Sequence, residues 1–227
     1  MIIAVHQPQY LAWLGYFDKI DKCDKFVFLD DTQFKKNEWQ NRNKIKTKDG
    51  WQWLSVPILH DFGQLIKDVK INNKTNWRHK HLNALVTNYS KAPYFKEYIA
   101  FFEDFYSGDW ENLSALNIEL VKKLCGILGI KKEFVVSSQL ALSSKGTEHL
   151  LEICKTLGAK KYLSGAGGRE YLDIAAFRKE NIELDFQEFR HPAYAQLHGE
   201  FIANLSVVDL LFNCGTRSLE IIRGRNR

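Results

Sequence analysis

The chain has 227 residues and a formal net charge of +5, with 45% hydrophobic and 13% aromatic residues. This composition excludes a disordered or low-complexity chain and predicts a folded globular protein that buries roughly 70% of its unfolded surface. The four cysteines stand singly, without CxxC spacing, so neither a zinc knuckle nor a disulfide framework is indicated, and we predict no metal site.

The chain begins with a predicted strand and a polar turn. Residues 2–5 form a continuous apolar run, typical of a strand buried on both faces, and His6, Gln7, Gln9 and Tyr10 follow at once. In open α/β sheets, ligands bind outside the carboxyl ends of the strands. The pattern therefore predicts that these four side chains face a ligand.

A helix over about residues 13–22 and a strand over residues 26–29 complete an opening β-α-β unit. Asp30 and Asp31 close the second strand. A carboxylate at that position can accept a proton or bind a ribose hydroxyl, and it can equally cap a turn. Both roles stay open, and we take Asp31 as a candidate base and Asp30 as a candidate binding residue.

The middle of the chain has a different pattern of apolar and polar residues. Within residues 33–71, the stretch 51–56 alternates along the chain, which predicts a small antiparallel element. Residues 75–106 have helical spacing interrupted by an Ala-Pro step, which predicts two helices meeting at a turn. A third helix is expected over residues 112–128, ending at Gly126 or Gly129.

From residue 132 onward, strand and helix patterns alternate. The segments are EFVVSSQL, GTEHLLEICKTLGA, KYLSG, GREYLDIAAFRKENI and ELDFQEF. This alternation requires a parallel sheet with right-handed crossovers. We therefore predict an α/β fold with a doubly wound, mostly parallel sheet of about five strands, a small antiparallel element and a helical insertion. We expect a single α/β domain over residues 1–227, with the insertion at residues 75–128.

By analogy, this arrangement resembles the HUP-like nucleotide-binding fold of nucleotidylyltransferases and class I synthetases. There, a histidine-bearing loop after the first strand meets the phosphates of ATP. Those families show His-x-x-His or His-x-Gly-His, whereas His6 is followed nine residues later by Gly15 and Tyr16, with no second histidine. ATP with Mg²⁺ is therefore left open as a cofactor.

His6 is the first candidate for proton transfer or phosphate neutralisation, because an imidazole changes protonation near neutral pH. A hydrogen-bonded structural histidine is the alternative. His191, just after the last predicted strand, is the second candidate for proton transfer, and Tyr194 beside it is a candidate binding residue. No Gly-x-Ser-x-Gly elbow occurs and no cysteine has an adjacent histidine, so a covalent acyl-enzyme is not supported.

Two further segments are candidates for anion binding. Arg42 and Asn43 lie in QNRNK, whose amides and guanidinium suit a phosphate or carboxylate, although a solvated loop has the same composition. The turn SGAGGREY follows a predicted strand and opens a predicted helix, so backbone amides can approach a phosphate there, or the glycines can serve a tight turn. The candidates in this turn are Ser164, Gly165, Gly167, Gly168, Arg169 and Tyr171.

Four blocks, spread over nearly the full length, resemble a known family. They are HQPQYLAWLGYFDKI, QNRNKIKTKDGWQWLSVPI, KYLSGAGGREYLD and FRHPAYAQLHGEFIANLSVVDLLFNCG. In these blocks the chain is similar to WbqC-like proteins, a bacterial family often encoded with O-antigen and other surface-polysaccharide genes. The resemblance implies a transferase that adds glycine or another acyl group to an amino sugar.

From this resemblance we expect a transferase of lipopolysaccharide O-antigen biosynthesis. Its partners would be an acyl or aminoacyl (glycyl) donor and a nucleotide-linked deoxyamino sugar that accepts the group on its amine. The alternative is a non-catalytic protein that binds a nucleotide or nucleotide sugar within a biosynthetic complex. The sequence leaves a homo-oligomer open.

The charge and hydropathy patterns bear on partners and compartment. Basic residues are scattered, which suits an anionic small molecule, and because no nucleic-acid module is recognisable we expect no nucleic-acid partner. No 18 apolar residues run together, and the N-terminal apolar run has neither a basic lead nor a cleavage pattern. We therefore expect a cytoplasmic protein without membrane insertion, disordered only in the final RGRNR segment.

Overall fold

The computed structural model describes residues 1–224, in three successive stretches. The first contains β1 (Ile2–His6), α1 (Leu14–Asp21) and β2 (Lys25–Phe28). The second contains β3 (Arg42–Thr47), β4 (Gly50–Ser55), β5 (Ile58–Leu59), β6 (Lys70–Ile71), α2 (Trp77–Tyr89), α3 (Phe95–Ser107) and α4 (Leu113–Leu128). The third contains β7 (Glu133–Val136), α5 (Gly146–Thr156), β8 (Lys161–Ser164), α6 (Ile174–Lys179), β9 (Glu183–Phe186), α7 (Val207–Cys214) and α8 (Ser218–Ile222).

The central sheet has five strands in the order β7-β2-β1-β8-β9, and every neighbouring pair is parallel. The chain builds outward from β1 on one side through β2 and β7, then returns to the other side of β1 with β8 and β9. The strand order therefore reverses between β1 and β8. The predicted fold class, a doubly wound parallel sheet with small antiparallel elements, is confirmed.

Successive residues of β1 point to opposite faces of the sheet and enter two separate cores. Ala4 packs in a large core with α1, α4 and α7, whereas Ile3 and Val5 pack in a smaller core with α5 and α6. All three side chains are at most 4% exposed. Burial on both faces explains why β1 reads as an unbroken apolar run in the sequence.

The antiparallel elements are two hairpins outside the central sheet. Strands β3 and β4 pair from Arg42↔Ser55 to Thr47↔Gly50, and β5 pairs with β6. Helices α2 and α3 follow and meet at the expected Ala-Pro step. The longest helix, α4, has 16 residues, and no described helix combines the length and apolar character that a membrane span requires.

The helix predicted to begin within GREYLDIAAFRKENI differs from the structure. A short 3₁₀ segment occupies Ala166–Glu170, and α6 starts only at Ile174. Glycine disfavours α-helix, and Asp173 caps the later start by accepting hydrogen bonds from the backbone N–H groups of Ala175 and Ala176. The glycine turn is consequently not the first turn of an α-helix.

The C-terminal residues are described as far as Gly224. Arg223, within the RGRNR segment, donates two hydrogen bonds to the Asp21 carboxylate at 2.7 and 2.8 Å. The expectation of disorder for residues 225–227 lies outside the described residues.

Two glycines of α4 are expected to respond to alanine in opposite directions. Gly129 ends the helix in the left-handed conformation at φ +77°, so Gly129→Ala should lower the free energy of unfolding by about 1–2 kcal/mol. Gly126 lies inside the helix, and an added Cβ there meets open space, so Gly126→Ala should raise it by about 0.5–1 kcal/mol. Urea unfolding of both variants checks the signs, and two shifts of equal sign would contradict this helix end.

Candidate functional site

Two chambers lie side by side along the carboxyl edge of the sheet. The first, which we call the switch-point cleft, has a volume of about 490 Å³ between the ends of β1 and β8. The second, which we call the dyad chamber, has a volume of about 440 Å³ between the residues after β2 and the start of α5. Leu29, Leu150 and Tyr171 line both, so the two chambers share a wall. Ligands of doubly wound sheets bind where the strand order reverses, which is the position of the switch-point cleft.

His6 lines the switch-point cleft as a neutral imidazole. Its ring packs edge-on against Tyr16 at 4.9 Å between centroids, and its Nδ1 lies 3.2 Å from the Gln7 carbonyl oxygen. Because a carbonyl only accepts, Nδ1 carries the proton and Nε2 is left as an acceptor. Burial, with the Lys19 charge as a second cause, lowers the pKa of His6 to about 3. His6 can accept a hydrogen bond from a ligand, but near neutral pH it supplies no positive charge.

Gln7 fixes the wall between the strand ends. Its side-chain Nε2 donates to Thr32 Oγ1 at 3.0 Å, and its Oε1 accepts from Gln40 Nε2 at 2.7 Å. Thr32 lines the dyad chamber. Gln7 therefore links the polar turn after β1 to the lining of both chambers.

The glycine turn forms the opposite wall of the cleft. Ser164, Gly165, Gly167, Gly168 and Tyr171 all line it. A Cβ on Gly168 would lie 2.1 Å from Ser164 Oγ and 3.0 Å from Leu172 Cδ1, so this position requires glycine for close packing. The turn brings backbone close to the end of β8 without side chains filling the cleft.

Asp31 and His149 form a paired acid and imidazole in the dyad chamber. His149 Nε2 lies 3.2 Å from Asp31 Oδ1 and 3.1 Å from Oδ2, and the His149 side chain is 7% exposed. Ser137 Oγ also donates to Asp31 Oδ1, at 2.5 Å. His149 Nδ1 is buried and has no hydrogen-bond partner. With Nε2–H donated to the carboxylate, Nδ1 is the free basic nitrogen of the imidazole.

The two members of this pair shift each other's titration. The hydrogen bond to Asp31 raises the pKa of His149 above its ordinary value, although burial opposes the shift. Burial alone would raise the pKa of Asp31, but hydrogen bonds from His149 and Ser137 outweigh it and leave the pKa below its ordinary value. The carboxylate is therefore ionised near neutral pH and holds the imidazole in one orientation.

Sequence reasoning missed His149. Its local pattern is that of an ordinary helix start, because His149 lies in the first turn of α5 beside Ser, Lys and Thr. His149 lies 118 positions after Asp31, and the two meet because β7, which leads to α5, pairs with β2. The contact thus depends on strand order.

Lys19 was also missed. It is 2% exposed, lines the switch-point cleft, and donates from Nζ to the Val5 carbonyl oxygen at 2.9 Å. A signal was available, because Lys19 lies three residues after the buried Tyr16 and so shares its face of α1.

Several predicted site residues serve the core instead of lining either chamber. Tyr10 is fully buried, and its hydroxyl bonds to His81 Nδ1 and to the Tyr106 hydroxyl. Asn43 is also fully buried and donates to the carbonyl oxygen of Leu11, a residue held at φ +45°.

Gln9, Asp30 and Arg42 also lie apart from the chamber linings. Gln9 is buried, and its Oε1 has no partner. The carboxylate of Asp30 accepts from the backbone N–H and hydroxyl of Ser138, both at 3.0 Å, and so caps the 3₁₀ segment after β7. The guanidinium of Arg42 lies 4.2 Å over the ring of Trp53.

His191, Tyr194 and Arg169 line neither chamber. His191 stacks on Tyr194 at 6.4 Å, and the Tyr194 hydroxyl donates to Asp209 at 2.9 Å. Arg169 covers the ring of Phe186 at 4.4 Å. The structure therefore brings together His6, Gln7, Asp31 and most of the glycine turn, and it leaves these three side chains outside that group.

The charged residues of the switch-point cleft are basic. Among residues 1–224, no group of three or more His, Cys, Asp or Glu side chains is arranged to hold a metal ion. None of the described residues that line the switch-point cleft is acidic, and two of them, Lys19 and Lys35, are lysines. The cleft therefore suits a ligand that carries negative charge.

Known sequences resemble this chain over nearly its whole length. The sequence model of the WbqC-like protein family matches residues 7–221. A Mycobacterium tuberculosis protein named "Uncharacterized protein Rv1507c" is 37% identical over 227 residues, and the match covers 97% of each chain. No solved structure matches the chain. The family match includes the glycine turn, Asp31 and His149.

Proposed function

The chain belongs to the WbqC-like protein family, and we propose that it is a cytoplasmic transferase that adds a glycyl or other acyl group to the amino group of a nucleotide-linked deoxyamino sugar. Family membership suggests a polysaccharide-related enzyme. The product would enter O-antigen or another surface polysaccharide. The observation that carries the proposal is the Asp31–His149 pair in a chamber that shares a wall with the cleft at the strand reversal.

The two chambers suit two substrates. The switch-point cleft, with lysines and no acidic lining, accommodates the diphosphate of the nucleotide sugar. Because the two chambers adjoin at Leu29, Leu150 and Tyr171, a sugar whose diphosphate is held in the cleft would carry its amine toward the dyad chamber. There the amine meets the acyl donor, and holding both reactants in this way replaces a bimolecular encounter by an oriented one.

The pair supplies the base for transfer. The amine nitrogen attacks the acyl carbon, and a new N–C bond forms while the bond from that carbon to its leaving group breaks. The leaving group takes the electron pair, and the proton of the amine passes to the imidazole of His149, which lines the dyad chamber. Asp31 stabilises the imidazolium that results, as a carboxylate does when it orients a catalytic histidine.

Calorimetric titration with a dTDP-linked amino sugar tests the proposal, with and without Mg²⁺ and with ATP in a parallel arm. We expect saturable binding of the nucleotide sugar that does not depend on Mg²⁺. Absence of binding by the nucleotide sugar under all of these conditions would contradict the proposed acceptor. Binding of ATP with Mg²⁺ would indicate that the acyl donor is activated with ATP.

A further inference from the structure

Lys19 is a buried amine without a counter-charge. Its Nζ has one hydrogen-bond partner, the Val5 carbonyl oxygen, and no carboxylate among the described residues lies within 4.0 Å of it. Lys22, one turn along the same helix, is half exposed and pairs with Asp18 at 2.9 Å. An unpaired buried cation is costly, so its position at a cleft wall calls for a ligand.

We propose that Lys19 Nζ is the cationic anchor of a phosphate subsite in the switch-point cleft, and that it receives the diphosphate of the nucleotide. The subsite lies between the ends of β1 and β8. A Cβ built on Gly165 would lie 3.7 Å from Nζ, so the amine reaches the start of the glycine turn. The proposal rests on the proposed function only for the identity of the phosphate ligand.

The charges around Lys19 favour an anion as the occupant. His6 faces it from β1, Ser164 from β8 and Cys23 from the end of α1, and Lys35 lines the same cleft. On its own helix, Asp18 is held by Lys22 and by Gln187, whose Nε2 lies 2.7 Å from the carboxylate. None of the described groups around Lys19 has a free negative charge that could neutralise Nζ, so a bound phosphate would supply the missing counter-charge.

Binding should be linked to proton uptake. Burial lowers the pKa of Lys19 to about 7, and an adjacent phosphate favours the charged amine and raises that pKa again. At pH 8 the free amine is mostly neutral, so binding takes up nearly one proton, whereas at pH 6 the amine is already charged and little is taken up. His6, with a pKa of about 3, and Cys23, with a pKa of about 11, both stay uncharged over this range.

The experiment titrates dTDP-glucose, without Mg²⁺, into wild-type protein and variants at pH 6 and pH 8. Each titration is run in two buffers of different ionisation enthalpy, which gives the number of protons taken up. The diphosphate diester of this probe does not titrate in the range. Lys19→Met should weaken binding roughly 10- to 100-fold and abolish the uptake at pH 8. Lys96→Met, which replaces an exposed lysine on α3, is the control and should leave both unchanged.

Folding of the variant is checked by its thermal unfolding midpoint, which should not fall, because an apolar side chain replaces an unpaired buried charge. Sulfate and pyrophosphate, followed through the ¹³Cε signal of labelled lysine, give a second readout that needs no nucleotide. Binding by Lys19→Met within twofold of wild type, or no proton uptake by wild type at pH 8, would overturn the proposal. Wild type that responds to none of the three anions would overturn it as well.

The two proposals fail separately. Lys19-dependent anion binding without any acyl transfer would leave this subsite standing and remove the transferase. Acyl transfer that survives Lys19→Met with unchanged affinity for the nucleotide sugar would remove the Lys19 subsite and leave the transferase standing.

Discussion

Replacing His149 by glutamine should lower kcat for acyl transfer by about 10²- to 10⁴-fold, the usual contribution of a general base. Glutamine keeps a polar side chain near Asp31 but has no nitrogen that can take the proton of the amine. The KM for the nucleotide sugar should change by no more than about threefold, because its diphosphate lies in the neighbouring cleft and the lost interaction belongs to the transition state. Steady-state kinetics at pH 8 measure both quantities.

The pH dependence of the transfer rate gives a second test of His149 as the base. Transfer requires neutral His149, and its hydrogen bond to the Asp31 carboxylate raises the pKa of His149, so the rate should fall as the pH drops through a value above the ordinary 6.5. In Asp31→Asn that cause is lost while burial remains, so the acid limb should move to lower pH as the maximal rate falls.

His79→Gln is the matched control, since His79 is an exposed histidine on α2. It should leave the pH profile unchanged. A His149→Gln variant with wild-type kcat, or an acid limb that Asp31→Asn does not move, would remove the pair from the chemistry.

Replacing Phe212 by alanine should lower the free energy of unfolding by about 3–5 kcal/mol. Phe212 is fully buried on α7, and its ring contacts those of Tyr89, Phe95 and Phe102 at 5.1–5.5 Å between centroids. Removing the ring leaves a cavity where α7 meets α2 and α3. The loss would be a large part of the stability of a typical domain.

Urea unfolding with an unchanged m-value measures this loss. Phe62→Ala is the control, because Phe62 is fully exposed and its removal should change stability by less than about 0.5 kcal/mol. A loss below about 1 kcal/mol for Phe212→Ala would show that the three helices do not pack as described.

The parts of the fold that could be predicted are those with strong local patterns. The apolar run of β1, the helical spacing of apolar residues in α4 and the strand-helix alternation after residue 132 are all visible in the sequence. The start of α6 could not be placed, because two glycines and the Asp173 cap compete with the helical pattern before it. Local competition of this kind shifts boundaries without changing the fold.

The site was only partly predictable for a different reason. Polar residues directly after β1 and β8 could be assigned to the carboxyl edge from the strand pattern alone. His149 could not, since its role depends on the pairing of β7 with β2. For Lys19 the helical spacing could place the residue on the buried face of α1, but its position at a cleft wall depends on the neighbouring strands. Arg42 and Asn43 share a segment rich in amides, yet one covers a tryptophan and the other supports a strained turn.

The most direct test of the central claim is a mass-spectrometric assay for the transferred group. The purified protein is incubated with a dTDP-linked amino sugar and, in separate reactions, with glycine plus ATP and Mg²⁺, with a glycyl thioester and with acetyl-CoA. We predict that one donor adds its acyl mass to the sugar amine, that His149→Gln abolishes the product and that His79→Gln retains it. Saturable binding of the nucleotide sugar with no mass change from any donor would contradict the transferase and favour a non-catalytic binding protein.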